Sequence, residues 1–65
     1  MERWQKAEIY CEVLGGISAQ AREKGLTDLF KEAFKLSFDV YDKAVDIDEV
    51  ERKIKAFRER LNKDV

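Results

Sequence analysis

The amino-acid sequence predicts an all-α protein, a compact three-helix bundle with helices at about 2–24, 28–45 and 47–62 in one domain spanning 1–65. Three observations predict it. The chain has no proline and is 42% charged, a composition suited to helices with solvated faces. Its apolar residues recur at helical spacing, and residues that stop and start helices stand near Gly25 and Asp46.

In the first helix Trp4, Ala7, Tyr10, Cys11, Leu14, Ile17 and Ala21 share one broad face, with Ile9 and Val13 outside it. The helix should stop at Lys24, where Gly25 can take a left-handed conformation and Leu26 can fold back toward Ala21. Gly15 and Gly16 fall mid-helix, where two glycines cost about 1.5–2 kcal/mol relative to two alanines. Either the helix kinks or breaks there, or the small stripe of Cys11, Gly15, Ser18, Ala19 and Arg22 admits another helix at close range. Phe30, Phe34 and Phe38 would then be natural fillers, from the same chain or a neighbour.

The second helix is expected to begin after Thr27 as N-cap, with Asp28 near the positive end of the helix dipole. From Leu29 to Val45 its apolar and small residues fill an arc of roughly 200°. That is more than one chain of 65 residues is expected to cover, so the helix should be packed from two or more sides. A sharp turn is predicted at about Val45–Asp46, where Asp46 and Glu49 read as a capping box and Val45 and Val50 as a hydrophobic staple. An uninterrupted helix through this point is the competing reading.

The third helix confines Ile47, Val50, Ile54, Phe57 and Leu61 to a seam of about 80°, which makes it an outer helix packed on one side. Its charges run from acidic to basic along the axis, and Glu49/Lys53 and Glu51/Lys55 add pairs worth about 0.3–0.5 kcal/mol each.

A domain this small is marginally stable unless something is added. With one cysteine, Cys11, and no histidine, neither an intrachain disulfide nor a structural zinc site is expected. Self-association is the other common remedy. The predicted interface is Ile9, Val13, Gly16, Phe34, Phe38 and Val45, set against their own copies in a two-fold homodimer. A separate protein partner is compatible with the same surface.

The residues specify no reaction. Glu8 with Glu12, and Asp39, Asp42 and Asp46, are read as solvated carboxylates, since a di-metal bundle site ordinarily draws on histidine. An all-carboxylate magnesium site is the minority alternative. Cys11 lacks a histidine to activate it, and Gly15-Gly16 is followed by no phosphate-loop lysine. The chain is therefore read as non-enzymatic, with no cofactor and no metal.

The alternative function is a small dimeric nucleic-acid-binding regulator with contacts from Arg52, Lys53, Lys55, Arg58 and Arg60. A net charge of −1, from 13 basic and 14 acidic residues, gives it no sequence-wide support. No apolar run is long enough to cross a bilayer, and Met1–Lys6 lacks the apolar core of a secretory signal, so a cytoplasmic setting is expected. The abundance of Glu, Lys and Arg hints at heat adaptation.

The segment from Phe34 to Asp48, with aromatic, small and Lys43-Ala44 positions in order, resembles the second helix of a tetratricopeptide repeat. The resemblance implies a surface able to grip another helix. It lacks the family's following proline and a second copy, and its glycine is displaced to Gly25, so the family is not assigned.

Overall fold

A computed structural model describes residues 2–63 as three helices, α1 (Arg3–Glu23), α2 (Thr27–Asp39) and α3 (Ile47–Lys63), with no strand among the described residues. The longest dimension, 35 Å, is close to the length of α1 at about 1.5 Å per residue. α2 and α3 each pack mainly on α1 and only sparingly on each other. The first helix is thus the shared wall of the bundle.

The turn between α1 and α2 forms as the sequence predicts. Gly25 sits at φ +76°, its amide donates to the Arg22 carbonyl at 3.2 Å, and the Leu26 amide donates to the Ala21 carbonyl at 2.8 Å. These are the two bonds of a Schellman cap, and only glycine takes that backbone conformation without cost. The role expected of Thr27 is not observed. Leu26 is the N-cap, its carbonyl accepting the Phe30 amide at 2.9 Å, and Thr27 is already the first helical residue.

The largest departure is at the end of α2, which stops at Asp39 rather than Val45. The reason lies in Asp42 and Arg3. The Asp42 carboxylate accepts the Ala44 amide at 2.9 Å, offering the backbone a local turn in place of a helical bond. The Arg3 guanidinium then takes the carbonyls of Asp42 and Val45 at 2.5 and 2.7 Å, so this short segment is held as an irregular connection. A helix through Phe34–Asp48, as the repeat resemblance would need, is therefore not formed. Asp46 does cap α3, but through the Asp48 amide at 3.0 Å instead of the Glu49 amide.

The core draws four apolar residues from each segment: Ala7, Leu14, Ile17 and Ala21; Leu29, Ala33, Leu36 and Val40; Val50, Ile54, Phe57 and Leu61. Ala7, Ala21 and Ala33 are fully buried and let the helix backbones approach, while Leu14, Leu29, Val40 and Val50 fill the centre. Each large aliphatic group buried this way contributes about 1.5–3 kcal/mol. The seam of α3 is buried as predicted except at Ile47, which is half-buried. Polar ties finish the bundle: Lys24 donates to the Leu61 carbonyl at 2.8 Å, and the Tyr10 hydroxyl donates to Glu51.

Candidate self-association surface

Leu29, Ala33, Leu36 and Val40 turn one side of α2 into the core, which leaves Phe30, Phe34 and Phe38, spaced by four, along a neighbouring flank. The three rings form a continuous ridge. Phe30 and Phe34 stack with centroids 5.6 Å apart, and Phe34 meets Phe38 edge to face at 5.0 Å. Phe30 is partly buried against the core, but Phe34 is 49% and Phe38 66% exposed.

The opposite flank of α2 faces α3. There Glu32 accepts a hydrogen bond from Arg60 at 2.8 Å, and Lys35, Leu36 and Asp39 line a groove with Lys53 and Phe57. The aromatic ridge therefore runs along the side of α1 away from α3. At one end Phe30 shares a hollow with Arg22, Gly25 and Thr27. Beyond the other end Tyr41, 53% exposed, lies over Glu8, Ile9, Cys11 and Glu12. The Tyr41 phenol has its pKa raised, by desolvation first and then by neighbouring Cys11, Glu8 and Glu12. Ile9, 44% exposed, completes this apolar end of the surface.

The structure thus brings Phe34, Phe38 and, through Tyr41, Ile9 onto one side. Gly16 is exposed, whereas Val13 and Val45 are half-buried and packed against the core. Val45 lies outside α2, in a hollow with Arg3, Lys6 and Ile47, because the helix on which it was placed has already ended. Trp4, which the spacing places on the packed face of α1, is 60% exposed, and Tyr41 of the second apolar arc is exposed as well. Tyr41 continues the 34, 38 spacing by three.

The helix runs unbroken through Gly15 and Gly16, both exposed, and a Cβ at either position would meet nothing within 4 Å. No neighbour within the chain requires them to be glycine. Ser18 is buried and returns its hydroxyl to the Gly15 carbonyl at 2.8 Å.

On α3, Arg52, Lys53, Lys55, Arg58 and Arg60 are all exposed. Two of them are engaged, Lys53 with Glu49 at 3.9 Å and Arg60 with Glu32. Among the described residues no group of three or more Cys, Asp or Glu side chains is placed to hold a metal, and no helix is long and apolar enough to cross a membrane. Comparison with protein-family models, with curated proteins and with solved structures finds no match.

Proposed function

We propose that this chain is a small non-enzymatic helical interaction module that self-associates as a homodimer, acting in the cytoplasm, where the lone thiol of Cys11 would stay reduced. The observation that carries this reading is the aromatic ridge. Phe34 leaves about half of its surface in water and Phe38 about two thirds, beside the exposed Tyr41 and Ile9. Covering such rings recovers about 25 cal/mol for each Å² of apolar surface removed from water. An exposed apolar face of this continuity is a common mark of a protein contact site.

The nucleic-acid reading gains less support, since the basic side chains of α3 are interleaved with Glu51 and Glu59 and partly engaged by carboxylates. Sedimentation equilibrium across the micromolar range tests the proposal. The wild-type chain should sediment at twice its 7.6 kDa mass, and Phe34→Ser with Phe38→Ser should return it to the monomer while helicity is kept. A wild-type monomer throughout that range would overturn the reading.

A further inference from the structure

Resting on that self-association, we infer that two copies pair antiparallel through α1, on a two-fold axis passing Gly15, with Glu8 of each copy against the partner's Arg22. The aromatic surface supplies the face, and its charges choose the occupant and its direction. Along α1 the residues Glu8, Gly15 and Arg22 stand at intervals of seven, so they share one side of the helix, with the glycine midway between an acid and a base. Glu8 lies at the Tyr41 end of the surface and Arg22 at the Phe30 end. Both are exposed, and among the described residues neither has an ion-pair partner.

A two-fold axis perpendicular to α1 at Gly15 reverses the helix and carries Glu8 onto the level of the partner's Arg22, twice over by symmetry. A parallel pair in register would instead set Glu8 on Glu8 and Arg22 on Arg22, which repel. The same operation places Cys11 opposite the partner's Ala19, small against small, and Gly15 against itself. Close approach is open there, because nothing beyond the adjacent backbone of α1 lies within 4 Å of a Cβ at Gly15. Phe34 and Phe38, on the neighbouring flank of α2, would then wall the partner helix from the side. Gly16 lies about 100° around the helix from Gly15, at the fringe of this contact.

Thiol pairing and charge reversal read out the arrangement. In the antiparallel pair the two Cys11 residues are about 12 Å apart along the axis, at ~1.5 Å per residue, beyond the ~7 Å limit for a disulfide. Under mild air oxidation the wild-type chain should remain uncrosslinked, and Gly15→Cys combined with Cys11→Ala should yield a covalent dimer. Arg22→Glu or Glu8→Arg alone should weaken dimerisation about tenfold, and the two together should restore it, with circular dichroism confirming helicity in each. Wild-type crosslinking through Cys11, or a dimer whose charge reversals fail to compensate, overturns the antiparallel register while leaving self-association standing. A chain that sediments as a monomer in every form removes both.

Discussion

The guanidinium of Arg3 donates to the backbone carbonyls of both Asp42 and Val45, so one side chain in the first turn of α1 clasps the connection between α2 and α3. Those carbonyls lie where a longer α2 would have formed its last turn. Hydrogen bonds from a charged donor contribute more than neutral ones, and partial exposure moderates the gain. Arg3→Ala should cost about 1–2 kcal/mol in urea unfolding. It should also speed amide exchange at Ala44 and Val45, and unchanged exchange there would show the clasp to be idle.

Tyr10 ties α1 to α3 through Glu51, and its pKa is pushed from the ordinary 10.0 up to about 12. The hydrogen bond to Glu51 is the largest cause, followed by burial and by the negative charges of Glu51 and Asp48. A phenol whose pKa is higher in the folded chain holds its proton more tightly there. Its stabilising contribution is therefore complete below pH 10 and is lost as pH rises from 10 to about 12. The urea midpoint of the wild type should fall across that window more steeply than that of Tyr10→Phe. Parallel declines would show that the bond contributes nothing.

The glycines predict opposite signs. Gly16 is exposed within a continuous helix and a Cβ there meets nothing, so Gly16→Ala should stabilise the dilute monomer by about 1 kcal/mol through helix propensity. For a domain of this size that raises Tm by about 4–8 °C. Gly25, at φ +76°, should lose about 1–2 kcal/mol on substitution by alanine, although the space around it is equally open. Equal effects at the two sites in calorimetry would contradict the backbone argument.

Leu14 and Phe38 separate folding from association. Leu14 is 0% exposed and Phe38 66%, so Leu14→Ala should cost about 2–5 kcal/mol, whereas Phe38→Ala should cost less than about 1 kcal/mol in the dilute monomer. The order should reverse when the dimerisation constant is measured by sedimentation. A large loss of monomer stability from Phe38→Ala would mean that the ridge belongs to the fold.

The boundary at Gly25 and the buried seam of α3 were legible because each rests on local chemistry: a left-handed glycine, and apolar residues stepping by three and four. Phe34 and Phe38 were legible too, since an apolar arc wider than its chain can cover leaves something in water. The end of α2 was not. Val40, Tyr41, Ala44 and Val45 keep helical periodicity, and what breaks the helix is a turn at Asp42 secured by Arg3, far away in sequence. Periodicity cannot report a long-range bond to a carbonyl. Misplacing that end put Val45 on α2, whereas it lies outside the helix and is half-buried against the core.

α3 is held more by α1 than by α2, which it meets through the Arg60–Glu32 pair and the groove between Leu36 and Phe57. A protease cut within 41–46 would sever the covalent link while Val50, Ile54, Phe57 and Leu61 still seat α3 in the shared core. The two fragments would then be joined by burial alone, and their association would depend on concentration.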